Sequence, residues 1–190
     1  MYKSLTPVAA LFALSVAAQA NDFAPAMQSY LDDEIREWAM SDQIVAAINA
    51  QNAMTSGYDQ STIDQLDQKW RAEVGAADTP TITPVLEGAA AEYLREQVAA
   101  AGGRITEVFI MDAQGLNVAA SSVTSDYWQG DEAKFSETYG NGADAVHLGD
   151  IEFDESTETY QGQISLTIVD PATGQAIGAM TVGVDAESLM

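Results

Sequence analysis

The chain of 190 residues contains no cysteine. Thiol nucleophiles, thiolate metal sites and disulfide staples are therefore excluded, and the fold must be held by its core alone. Positive charge is nearly as scarce: seven Lys and Arg stand against 29 Asp and Glu, a formal net charge of -22. A surface of that sign repels phosphate backbones and anionic headgroups, so no nucleic-acid partner is expected. There is one histidine, His147. Without a cysteine or a second histidine it cannot build a zinc or copper site, and it reads as a structural or surface residue. No serine sits in a Gly-x-Ser-x-Gly turn, and no phosphate-binding glycine loop is present. Acids are so common that no pair stands out for hydrolytic chemistry. The chain reads as a non-enzyme with no cofactor and no metal.

Long apolar runs are also missing, with one exception. Pro7 to Ala18 (PVAALFALSVAA) follows Lys3 and leads into the small-x-small site Ala18-Gln-Ala20. The run is shorter than the roughly 20 apolar residues of a membrane span. It has the layout of a signal peptide over 1–20, which predicts a periplasmic or secreted protein after cleavage near Ala20.

What is present is ordinary globular composition, 47% hydrophobic. Residues 21–103 read as a helical region. Met27, Leu31, Ile35, Trp38, Val45 and Ile48 recur every three or four residues, which predicts one long helix over 25–54. A second is expected from Thr62 to Val74, with Thr62 and Gln65 as a capping box. A third should start at Thr83-Pro84 and end at Gly102-Gly103. Over 104–190 the period changes from 3.6 to 2. Strands are expected at 105–111, 116–122, 145–153, 159–169 and 176–184, with a helix-bearing insertion between the second and third. Asp131 is the expected N-cap of that short helix. Asp154 to Glu158 reads as a solvated hairpin tip. The fold class is α+β: long N-terminal helices, then a five-stranded antiparallel sheet. One face should pack on the long helix, and the other should form a cup with the insertion.

The densest chemistry lies in the insertion. Thr124 to Phe135 holds Asp126, Tyr127, Trp128, Asp131 and Lys134. Residues 104–190 have only Arg104 and Lys134 as cations against 15 acids. Tyr139 and Tyr160 add aromatic faces, and Asp185 another carboxylate. Aromatics with acids suit an amine or a zwitterion such as an amino acid, through cation–π and charge contact. Lys134 alone would suit a small carboxylate. These eight residues are the candidate ligand-binding set.

Three phrases carry a resemblance: Asp126-Tyr-Trp-Gln-Gly-Asp131; Asp150-Ile-Glu-Phe-Asp-Glu-Ser-Thr157 running into Tyr160-Gln-Gly-Gln-Ile-Ser165; and Ile177-Gly-Ala-Met-Thr-Val-Gly-Val184. In this order, and with the helices before them, the chain resembles the Cache family of extracellular PAS-like sensor domains in its single-domain form. Residues 21–190 would then be one Cache-like domain, with 104–190 its PAS-like sheet. The resemblance implies a small-molecule pocket between sheet and insertion, and signalling through a membrane receptor or kinase. Members usually continue from the last strand into a membrane helix, whereas this sequence runs only three residues past Glu187, so a stand-alone exported form is expected. The second expectation is an interaction protein, in which the stripe from Met27 to Ile48 pairs with another copy, giving a homodimer, or with a membrane receptor.

Overall fold

In the computed structural model the described residues are 21–154 and 159–190. The expected signal peptide and most of the acidic hairpin tip lie outside them. The apolar stripe at the start of the mature chain is spaced more strictly than a plain α-helix allows. Met27, Leu31, Ile35 and Ala39 recur every fourth residue and are all fully buried. At 3.6 residues per turn, each step of four overshoots the face by about 40°. The chain removes the drift by winding Leu31–Ile35 as a π-turn, which holds more residues per turn, between α1 (Ala24–Tyr30) and α2 (Arg36–Ala39). At Met40 (φ -104°, ψ 27°) the rod stops, Ser41 is extended, and α3 (Asp42–Thr55) begins. The single helix expected over 25–54 is thus two rods, and the break re-phases the stripe onto Ile44 and Ile48.

Two helix starts also differ from the sequence expectation. In α4 (Gln60–Glu73) the cap is Asp59 rather than Thr62, and its Oδ1 accepts from the Thr62 N–H at 2.8 Å. A carboxylate placed just upstream is the stronger acceptor. The expected third helix is split by Gly88 into α5 (Ile82–Glu87) and α6 (Ala89–Ala100). No Thr83 cap forms at α5. Glu73, the last residue of α4, accepts from the Thr81 and Ile82 N–H groups at 2.7 and 3.1 Å instead.

The sheet is antiparallel, with strands β1 (Ile105–Met111), β2 (Asn117–Ala120), β3 (Val146–Leu148), β4 (Glu152–Asp154), β5 (Thr159–Asp170) and β6 (Gln175–Asp185). Their order is β2-β1-β6-β5-β3, with β4 also paired to β5. Among the described residues there are six strands rather than five, because the expected strand over 145–153 divides at Gly149-Asp150. The Gly149 carbonyl is turned out to accept from Asn21 Nδ2 at 2.7 Å, which interrupts the ladder. Small residues on β6 admit its neighbours closely: a Cβ on Gly178 would lie 2.1 Å from the Met111 carbonyl oxygen.

Alternation sorts the two faces. Val108, Ile110, Ile164, Leu166, Ile168, Met180 and Val182 point at α1, α3 and α6 and form the main core. Phe109, Met111, Gln161, Gln163, Ser165, Ala179 and Thr181 lie in alternate positions and look the other way, toward the insertion. The helix-covered face and the insertion-covered face are as the sequence predicts.

Candidate ligand site

The insertion is docked at its beginning by α4. Asp67 Oδ1 accepts from the Tyr127 and Trp128 N–H groups at 2.9 and 3.1 Å, while its Oδ2 accepts from Arg71 Nε at 2.7 Å. Arg71 also reaches Asp126 at 3.1 Å. Trp70 is fully buried. Its ring stacks on Tyr127 at 5.4 Å, and its Nε1–H donates to the Thr124 carbonyl at 2.8 Å. Around this stack Ile82, Val85, Phe109, Met111, Ala120, Phe135 and Ala179 close a second apolar cluster. The insertion therefore plugs the β1–β2 side of its sheet face.

Burial raises the Tyr127 hydroxyl to a pKa of about 12, with the nearby Asp112 carboxylate and Tyr58 adding to the shift. The folded value lies above the unfolded one near 10. Folding therefore favours the neutral phenol, and this contribution is complete below pH 10 and lost as pH rises toward 12. Urea unfolding is expected to show a loss on the order of 2 kcal/mol across that window beyond the loss in Tyr127→Phe. Identical pH slopes for the two proteins would contradict the burial of this hydroxyl.

The other side of the face is open. A groove of about 450 Å³ lies between α7 (Ala133–Ser136) and strands β3, β4 and β5. Lys134 and Glu132 form one wall, Asp150, Glu152 and Phe153 the other, and His147, Gln161 and Gln163 contribute to the floor. The Lys134 side chain is only 16% exposed; its Nζ lies 3.0 Å from Glu132 Oε2 and 5.5 Å from the Phe109 ring centroid. The ammonium is thus held at the border between plug and groove. Deeper along β5 the face stays polar, with Ser165 and Thr181 hydroxyls 3.0 Å apart and fully buried.

The eight candidate residues are distributed over this geometry. Lys134 lines the groove. Tyr160 makes an edge contact at 5.3 Å with Phe153, which also lines it. Tyr127 and Tyr139 pack in the plug, Tyr139 stacked on Phe135 at 5.3 Å. Trp128 folds over Gly130, and its Nε1–H donates to the Gln114 carbonyl at 2.9 Å. Asp126 accepts from Arg71 and Gln129. Asp131 is exposed and does not cap α7; that position falls to Glu132, which makes no side-chain cap bond. Asp185 accepts from the Ser188 N–H at 3.1 Å, capping a final 3₁₀ turn (Ala186–Leu189). The groove's His147, Asp150, Glu152, Gln161 and Gln163 were not in the candidate set. Alternation alone places His147, Gln161 and Gln163 on one face with Ser165, and that was the signal available for them.

No family model matches the sequence, and no curated protein does. Solved structures do. The sensor domain of the Vibrio cholerae histidine kinase DctB is similar over 88% of this chain and 53% of its own, at 13% identity and a TM-score of 0.49. The ligand-binding domain of the Campylobacter jejuni chemoreceptor Tlp3 in complex with L-valine is similar over 86% and 64%, at 12% identity and 0.43. That of the Pseudomonas aeruginosa amino acid chemoreceptor PctC, in complex with GABA, is similar over 85% and 62%, at 17% and 0.43. The first is a kinase sensor domain and the other two are chemoreceptor ligand-binding domains, and this chain spans between 53% and 64% of their length. At these scores the likeness is one of outline.

Proposed function

We propose that this protein is an exported sensor module that captures a small zwitterion, an amino-acid-like metabolite, in the groove beside α7. The observation that carries this reading is the pairing of opposite charges across one open groove: Lys134 on one wall, Asp150 and Glu152 on the other. A ligand carboxylate would take the place of Glu132 Oε2 on the Lys134 ammonium, and a ligand ammonium would meet Asp150 and Glu152, with the Gln161 and Gln163 amides also lining the groove. The size suits a metabolite rather than a polymer. Bound ligand would bridge α7 to β4 and β5, which is how occupancy could be passed to a membrane receptor or kinase.

Calorimetry with a panel of amino acids, their decarboxylated amines and their deaminated acids tests this. An amino acid is expected to bind at least tenfold tighter than either single-charge analogue. Lys134→Met should weaken it by roughly 10- to 100-fold, the loss of one charge-assisted hydrogen bond. Equal binding of the bare acid would point to a carboxylate site on Lys134. No binding by any member, or indifference to Lys134→Met, would overturn the assignment. The alternative of pairing through the N-terminal stripe has less support, because Met27, Leu31, Ile35, Ile44 and Ile48 are already buried against the chain's own sheet.

A further inference from the structure

A second cleft, of about 430 Å³, lies on the opposite side of the molecule, between the N-terminal rod, the end of α6 and the start of β1. It is lined by Tyr30, Glu34, Glu37, Trp38, Tyr93 and Arg104 among others. The π-turn that aligns the core row does the same for the row beside it. Tyr30, Glu34 and Trp38 each precede a buried residue, Leu31, Ile35 and Ala39, and so are brought onto one edge of the rod. Such π-turns occur often at functional sites. The three aromatics are half-buried and pack on the main core from its rim.

The chain already holds one cation here. The Arg104 guanidinium lies 5.1 Å from the Tyr30 ring centroid and 3.7 Å from Glu34. That uses Tyr30 and Glu34. Trp38, Tyr93 and Glu37 also line the cleft, which adds two ring systems and an exposed carboxylate to it. Arg104 balances only one of the two acids.

We propose that this cleft is a second binding site, for a small organic cation bearing an alkylammonium or guanidinium head. The head sits against the Trp38 and Tyr93 rings, with Glu37 as its counter-charge. The strongly acidic surface raises the local concentration of such a cation. A bare metal ion would gain less, because the cleft offers two carboxylates and no group of three metal-ligating side chains is found among the described residues. The site is independent of the groove beside α7.

The test is a titration of the full chain with tetramethylammonium, n-butylammonium and methylguanidinium chlorides and with an arginine-rich peptide, each against sodium chloride at equal ionic strength. The readout is the indole N–H resonance of Trp38, identified by its loss in Trp38→Phe. At least one organic cation should move that resonance saturably, with a dissociation constant on the order of millimolar, and leave those of Trp70 and Trp128 in place. Glu37→Gln, a change at an exposed side chain that the fold tolerates, should weaken the effect about tenfold, and Lys134→Met should not change it. A Trp38 response no larger than that to sodium chloride overturns the proposal. So does an affinity unchanged in Glu37→Gln. A response only to an arginine-rich peptide, with none to the free cations, would also overturn it, by showing a protein-docking face instead of a small-molecule site.

Discussion

Trp70→Ala is expected to destabilise the protein by about 3–5 kcal/mol, the range for deleting a fully buried aromatic. Three losses combine. The indole fills the centre of the cluster made by Ile82, Val85, Phe109, Met111 and Phe135, and truncation leaves a cavity there. The stack on Tyr127 disappears. The Thr124 carbonyl loses the buried Nε1–H donor. Thermal unfolding should move down by roughly 10 °C for a chain of this size. Trp70→Phe separates the terms: it keeps most of the packing and the stack but orphans the carbonyl, so about half of the loss should remain. Amide exchange should accelerate over the docked start of the insertion, 124–130, while the β5–β6 ladder stays protected up to global unfolding. A Trp70→Ala protein with unchanged melting and unchanged exchange there would mean that α4 does not hold the insertion.

Asp112→Ala should cost about 3–4 kcal/mol, because it orphans several buried donors at once. Asp112 is fully buried in the β1–β2 turn and is surrounded by hydrogen-bond donors. Its Oδ1 accepts from the Gln114 and Leu116 N–H groups at 2.9 and 3.0 Å. Its Oδ2 accepts from the Thr55 hydroxyl at 2.7 Å and from Gln51 Nε2 at 3.1 Å. The carboxylate thus ties the end of α3 to the turn, and with it the helical layer to the edge of the sheet. Asp112→Asn keeps one carbonyl acceptor and should recover part of the loss. Thr55→Val removes a single donor and should cost only about 1 kcal/mol. Equal losses in Asp112→Asn and Asp112→Ala would show that charge, rather than acceptor geometry, holds the turn.

Much of this architecture is legible in the amino-acid order, and the exceptions share a cause. The stripe Met27, Leu31, Ile35 announces a buried helix face, yet its strict spacing of four was the sign of a π-turn and read as a plain helix. Alternation in 105–111, 159–169 and 176–184 marks strands correctly, whereas 145–153 breaks at Gly149 because Asn21, more than a hundred residues away, takes its carbonyl. The caps of α4 and α5 lie a few residues from where the local pattern puts them, one because Asp59 outranks Thr62, the other because its acceptor, Glu73, belongs to a different helix. In the insertion, Tyr127 and Trp128 have the composition of a pocket rim. Asp67 and Trp70, 54 to 61 residues upstream of the groups they hold, dock that segment, and no local pattern shows the pairing.

By itself, then, the sequence determined the buried stripes of the helices, where the period turns from helix to strand, and, having no cysteine, that thiol chemistry is closed to this chain. These follow from local periodicity and composition, which act on neighbours a few residues apart. Only the tertiary structure decided which half of the insertion-side face is plugged and which is open. It did so because that choice rests on contacts between α4, the insertion and β5 whose partners lie far apart in the chain. Lys134, Asp150 and Glu152 come to face one groove only when the sheet brings them there, and Trp38, Tyr93 and Glu37 share a cleft only once the N-terminal rod is laid against α6.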